Sequence, residues 1–333
     1  MKKLMYLTFV LASVLIQSCK NDVVLSGPYE DRTIVYGLLN QDDTAHYIRI
    51  QKAFLVNGNA LDYTGIPDSI QYKPGDLAVK IQQFKSPSDT TTTKTILLTL
   101  TNEIEKDSGA FAYPGIQLFK TTEKLVTGNY YRLVITNLKN GKVITGSTPL
   151  VYGFIWKGNF GLGTITWNNF VGTGLTIRFD PATNGVIYEP EVVFYYREVN
   201  VTTNDTIRDS LVWKLVDIES PGVGEMSYNF PQNSFYSYIS TQLTPPASGV
   251  KRIIGTLTFR FYAGTQELDT YINSNKPSIG IIQEKPVYTN LTNSLGIFAA
   301  RSVFERRNVV MSESAKDTLV LGTYTKNLGF TKQ

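Results

Sequence analysis

Apolar and polar residues alternate in short runs along most of this chain, and glycine, proline and asparagine turns separate the runs; this period-two pattern is what most limits its fold. The sharpest instance is Tyr131, Leu133 and Ile135, followed by Asn140-Gly141, whose positive φ angles suit a tight turn, with Val143-Ile144-Thr145 returning. That segment is a β-hairpin. A second hairpin is expected from residues 33–39 and 47–54 across the polar turn 40–44, and further strands from 77–84 and 95–100. Later strands are expected at 154–156, 164–167, 175–180 and 253–261, with a long pair, 192–198 and 211–215, joined by the polar loop 202–209. Helical spacing is rarer. It occurs at Phe235, Tyr238, Ile239 and Leu243 after Pro231, at Leu268, Tyr271 and Ile272 after Gly264-Thr265, and over a short stretch, 312–321. With 20 Tyr and 17 Phe and few long amphipathic helices, the chain reads as mainly β.

The only cysteine, Cys19, follows Leu15-Ile16-Gln17-Ser18 at the end of an apolar run that begins behind Lys2 and Lys3. A charged start, an apolar stretch and a small residue before the cleavage point are the parts of a secretory signal. The order aliphatic, small, Cys resembles a bacterial lipobox. That resemblance implies a diacylated Cys19 thiol, cleavage before it and acylation of the new amino terminus. The competing reading is an ordinary signal peptide with a stray thiol, but exported chains disfavour unpaired thiols and a lone cysteine rarely falls at this place. The apolar run 4–16, interrupted by Thr8 and Ser13, is shorter than the roughly 20 residues a membrane span needs. Stable anchoring then takes two or more lipid chains. Lys20 is not the Asp that retains lipoproteins at the inner membrane in proteobacterial sorting, and Lys20-Asn21-Asp22 partly resembles the charged export signal of Bacteroidota surface lipoproteins. The expected location is the outer membrane, at the cell surface in preference to the periplasmic face.

Loss of residues 1–18 removes Lys2 and Lys3 and no acid, so 30 basic residues face 28 acidic ones and the net charge is about +2. A body so close to neutral is a poor nucleic-acid binder. About 315 residues remain, which favours two cores over one. Pro149 marks the division, since proline cannot donate to a central ladder. The expected organisation is a signal peptide at 1–18, a lipidated tether at 19–30, an N-terminal β-sandwich at 31–150 and a C-terminal β-rich domain with short helices at 151–333.

Leu125 lies six residues before Tyr131 with Gly128 between them, which resembles the tyrosine corner of immunoglobulin and fibronectin III-like sandwiches. The alternative is a plain strand tyrosine. The lipobox, the early Val-Tyr-Gly strand at 35–37, the Tyr131 hairpin, Phe194-Tyr195-Tyr196-Arg197-Glu198, and the ending from Tyr288-Thr289-Asn290 to Gly296-Ile297-Phe298-Ala299-Ala300-Arg301 together resemble an uncharacterised family of Bacteroidota outer-membrane lipoproteins. Genes of that family commonly lie beside those of TonB-dependent receptors. The resemblance implies a place and a partner, and it carries no catalytic residue to transfer.

Few residues invite chemistry. His46 is the single histidine, too few for a His-rich metal site, and it is expected to face solvent at a strand start. Glu103 and Glu105 would share one face of a strand and could act as acid and base, with a solvated edge as the competing reading. No catalytic residue, metal or cofactor is expected. Trp156, Trp167, Trp213, Tyr195 and Tyr196 are read mostly as core. Phe160 and Phe170, in the glycine-rich stretch 157–174, are expected to be exposed and to touch a ligand or partner. The long loop 56–74 is a second candidate. The expected function is a non-enzymatic, lipid-anchored binding or accessory protein acting with a TonB-dependent transporter in ligand capture or gating. The alternative is a surface adhesin or a structural part of envelope secretion or gliding machinery. A hydrolase using Glu103 and Glu105 comes third.

Overall fold

The computed structural model describes residues 32–53, 66, 70–105, 117–161, 166–167, 175–277 and 287–332. Cys19, Lys20, Asn21, Asp22, Phe170 and most of loop 56–74 lie outside them. The first part contributes β1 Thr33–Leu39, β2 His46–Lys52, β3 Leu77–Phe84, β4 Lys94–Leu97, β5 Thr99–Thr101, β6 Leu118–Thr121, β7 Tyr130–Asn137 and β8 Val143–Pro149. There follow β9 Ile155–Trp156, β10 Thr166–Trp167, β11 Leu175–Asp180, β12 Ile187–Asn200, β13 Thr206–Lys214, β14 Ile218–Glu219, β15 Met226–Phe230, β16 Val250–Gly264, β17 Ser294–Met311 and β18 Phe330–Thr331. Three helices interrupt the later strands, α1 Gln232–Gln242, α2 Gln266–Asn275 and α3 Glu313–Leu321. The chain is mainly β, and among the described residues no sheet closes on itself.

One sheet runs through the whole body in the order β13-β12-β16-β17-β1-β2-β6-β5, with β10, β14 and β18 attached to β17, β12 and β16. A four-stranded sheet, β4-β3-β7-β8, faces its β1-β2 end. Period-two alternation explains the core between them: Val35 and Leu39 from β1, Ile48 and Ile50 from β2, Val79 and Ile81 from β3, and Tyr131, Leu133 and Ile135 from β7 share one apolar cluster. The stretch 95–100, expected as one strand, is two. Leu98 leaves β4 to bond Val79 O, at 3.0 Å, and β5 then joins the other sheet beside β6.

The second core is aromatic. The sheet β15-β11-β9 lies against the long strands, and the rings of Phe154, Phe179 and Phe304 stack with centroids 4.7 Å apart on either side of Phe154. Phe194, Phe235, Phe259 and Phe261 are wholly or almost wholly buried with them, each ring contributing about 1.5–3 kcal/mol through removal of its surface from water.

β17 joins the two cores. Its 18 residues pair in parallel with β1 at one end and antiparallel with β16 at the other. Phe298 and Ala300 enter the first core, Phe304 packs against the second, and Val309 and Met311 belong to it. Inward residues change from even to odd numbers between these groups because Asn308 adopts φ +58° where the register with β16 shifts. A bulge with its extra residue in the left-handed region, tolerated by Asn, moves the alternation by one position. The expected division near residue 150 therefore runs across a continuous sheet, and residues after 290 complete the first core.

Two buried tyrosines bind turns. Tyr131 accepts a hydrogen bond from Val126 N–H at 2.6 Å and faces the Val126 carbonyl at 3.2 Å, next to Gly128 at φ +82°, which is the corner geometry its spacing suggests. Tyr188 does the same for the turn before β12, accepting from Ala182 N–H at 2.7 Å. Burial pushes its phenol up to about 12.

Gly296 sits where β17 enters beside β1, at φ +97°, and a Cβ there would lie 2.0 Å from the Val35 carbonyl oxygen. Gly296→Ala is expected to lower stability by at least about 2–3 kcal/mol, from left-handed strain and displaced backbone together. Urea titration of wild type and variant checks this; an unchanged midpoint would contradict the close approach.

Candidate functional site

The best-furnished site lies on the outer face of the large sheet, opposite both cores. Alternation along β12, β16 and β17 places Glu189 and Glu191, Arg260 and Tyr262, and Arg301 and Glu305 on this face. Register brings Lys214, Glu191, Arg260 and Glu305 into one row across four strands, with charges alternating in sign. Arg260 donates to Glu191 at 3.0 Å and also to Glu305, Tyr262 OH donates to Glu191 at 3.1 Å, and Arg307 closes on the other oxygen of Glu305. Glu191 is only 5% exposed. Burial works against charge on Glu305, and the Arg307 and Arg260 contacts outweigh it, so its carboxyl titrates below its ordinary value. The same row holds Arg260 above the usual guanidinium range despite its burial, because both carboxylates favour its charge.

A break in pairing opens a cavity beside this row. β13 ends at Lys214 opposite Glu191, and β14 resumes against β12 at Ile218 opposite Tyr188; after the Leu215 N–H bond to the Pro190 carbonyl at 3.0 Å, the ladder is interrupted in the link between them, at 216–217. Leu215 and Asp217 from that link, with Glu189, Glu191, Lys214, Tyr262 and Arg301, line about 420 Å³. A hollow of about 190 Å³ adjoins it through the shared Glu189, Tyr262 and Arg301, and reaches Leu38, Leu268 and Ile272. Here α2 forms a wall. Gly264 allows that approach, since a Cβ on it would lie 2.7 Å from Leu268 Cδ2. The combined volume is in the range of small-molecule sites.

The carboxyl of Glu189, though the residue is exposed, is pushed above its ordinary value, first by partial desolvation at the cavity wall and then by the Asp217 charge, against the pull of Lys214, Arg301 and Lys276. Asp217 itself pairs with Lys276 at 3.6 Å. Lys214 and Arg301 make no salt bridge among the described residues and act on Glu189 only through space.

The residues singled out from the sequence fall elsewhere. Phe160, expected in the open, is 4% exposed, because the 3₁₀ turn Gly158–Gly161 folds its ring edge-on to Phe259 at 5.3 Å. His46, expected to face solvent, is 2% exposed, for it shares the inward alternation of Ile48 and Ile50. Neither ring nitrogen makes a hydrogen bond of normal geometry. Burial lowers its pKa from 6.5, and the Asp43 charge and Glu123 backbone offset only part of this. Glu103 is tied to Tyr47 OH and Lys120 Nζ, each at 2.6 Å, and those bonds hold its carboxyl low; Glu105 is exposed beside it. Among the described residues no three His, Cys, Asp or Glu side chains are placed to hold a metal ion, and no helix is long and apolar enough to cross a membrane. Compared with known proteins, the chain matches no family model and no curated protein.

Arg260→Ala leaves the buried Glu191 without its cation, while Glu305 keeps Arg307, and is expected to cost about 3 kcal/mol, whereas Arg260→Met combined with Glu191→Gln recovers part of the loss; denaturant midpoints of the three proteins check this. A histidine kept neutral by the fold contributes stability that is complete above its unfolded pKa of 6.5 and declines as pH falls below it toward the folded value. Melting temperatures between about pH 7 and about pH 5 should therefore fall less steeply in His46→Phe than in the wild type.

Proposed function

We propose that this chain is a lipid-anchored binding protein of the bacterial outer membrane, held through Cys19 with its body at the cell surface, and that it captures a small ligand for a TonB-dependent transporter or gates that transporter. The observation that carries the reading is the solvent-open, charge-lined cavity beside Glu189 on the outer face of β12, β16 and β17. The lipobox at Cys19 and the resemblance to Bacteroidota outer-membrane lipoproteins supply the place and the partner. Binding is favoured over catalysis because the side chains first weighed for chemistry serve structure: His46 lies in a core and Glu103 in a surface ion pair.

We read the two facing layers of the first part as an immunoglobulin or fibronectin III-like sandwich, supported by the Tyr131 corner, and the second part as another β-sandwich with helical insertions. One feature favours the adhesin or scaffold alternative. Among the described residues β13 ends the strand order, and beyond Val212, whose carbonyl accepts from Tyr238 OH at 2.7 Å, its outer part is open, with Ile207 65% exposed; such edges invite pairing with another chain.

Purification of the anchored protein from its own membranes under mild detergent tests the proposal. A β-barrel receptor is expected to copurify, and Cys19→Ala is expected to release the chain from the membrane fraction. Absence of any barrel partner, with uptake unchanged on deletion, would overturn it.

A further inference from the structure

The charges around the cavity are unevenly committed. Glu191, Arg260, Glu305 and Arg307 neutralise one another, and Asp217 is answered by Lys276. What remains is Glu189 against two cations, Lys214 at the β13 end and Arg301 on β17. Both cations are exposed, and Lys214 and Arg301 lie in different rows on opposite sides of Glu189. An ammonium or guanidinium with no carboxylate in salt-bridge contact is a ready partner for an incoming anionic oxygen. Lys214 and Arg301 stand on the two outer strands of a set of four, spaced about 5 Å per strand, which suits a ligand with an anionic group at each end.

We propose that the cavity binds a small organic or inorganic polyanion, with carboxylate or phosphate groups at both ends, one end on Lys214 and the other on Arg301. Tyr262 and Glu189 line the middle of such a ligand's path. The Tyr262 hydroxyl is fixed by its bond to Glu191. Of the three carboxylates lining the cavity, Glu191 is paired with Arg260 and Asp217 with Lys276; the Glu189 carboxyl, already above its ordinary value and facing Asp217, Lys214, Arg301 and Lys276, is in no salt bridge among the described residues and opposes the ligand. An anion beside it raises its pKa further, so binding takes up a proton and weakens as pH rises. A cationic ligand is disfavoured by the same balance. It would meet two positive groups against the single Glu189 charge, and the other carboxylates are already paired.

This inference rests on the reading of the chain as a binding protein, but its test needs no transporter, and the copurification test above needs no ligand. The full chain in detergent is titrated calorimetrically with citrate, with pyrophosphate and with glucose as a neutral control. Binding of citrate or pyrophosphate at roughly millimolar affinity or tighter is expected, and which of the two binds more tightly distinguishes carboxylate from phosphate ligands. Repetition in buffers of different ionisation enthalpy should reveal proton uptake. Lys214→Gln and Arg301→Gln should each weaken binding about ten- to a hundredfold, as loss of a charged hydrogen bond does. Both side chains are exposed, so the variants should fold, which circular dichroism verifies. Glu189→Gln removes the opposing charge, so it should bind the anion more tightly than wild type at high pH and abolish the proton uptake. Failure of both anions to bind, equal binding of glucose, unchanged affinity in both cation variants, or loss of binding in Glu189→Gln would each overturn the proposal.

Discussion

Everything in this structure leans on β17. A strand of 18 residues is about three times the usual length, and it is long because it serves two cores in succession. Phe298 and Ala300 fill the first, and Phe304, Val309 and Met311 meet the second. Two backbone adjustments make this workable. Gly296 admits β1 at a distance no side chain would allow, and Asn308 shifts the alternation so that the far end again points its apolar residues inward. Neither core is complete without this one segment, so their packing energies are coupled through it.

The same strand explains where the cavity lies. Arg301 follows directly after Ala300, the last β17 residue in the first core, so its side chain emerges on the outer face at the crossing point. Leu38 comes from β1, Tyr262 from β16 and Leu268 from α2, which means the site draws on strands of both parts. The charged row beside it has a different justification from stability. A buried ion pair recovers little beyond its desolvation cost, and an apolar replacement is often as stable. What the row does accomplish is positional: Glu191 holds both Arg260 and the Tyr262 hydroxyl, and so keeps the floor of the cavity polar and fixed.

Local pattern makes much of the fold legible. The hairpin around Asn140-Gly141, the Tyr131 corner, the long pair β12 and β13 and helices α1, α2 and α3 can be read from spacing and turn chemistry, because each depends on residues within a few positions of one another. His46 is within reach of the same reasoning, since it stands at period two from Ile48 and Ile50, yet its polarity suggests solvent. The expectation for Phe160 fails because a glycine-rich stretch looks like an open loop, when glycines also let a turn fold a ring inward. The break between β4 and β5 and the double use of β17 depend on pairing between distant segments. So does the cavity: Glu191 and Arg260 are 69 residues apart, and Arg260 and Glu305 are 45 apart. Period-two alternation can place each charge on an outer face, but nothing within one strand shows which strands will be neighbours.

The claim that β17 welds the two cores into one unit is tested most directly by native-state hydrogen exchange at increasing denaturant, followed by mass spectrometry on peptides from β3 and β7 and from β12 and β16. If the strand couples them, the slowest amides of both groups merge into a common unfolding transition with the same midpoint and the same denaturant slope. If the first group opens in its own earlier transition while β12, β16 and the whole of β17 stay protected, the cores are independent and β17 does not weld them.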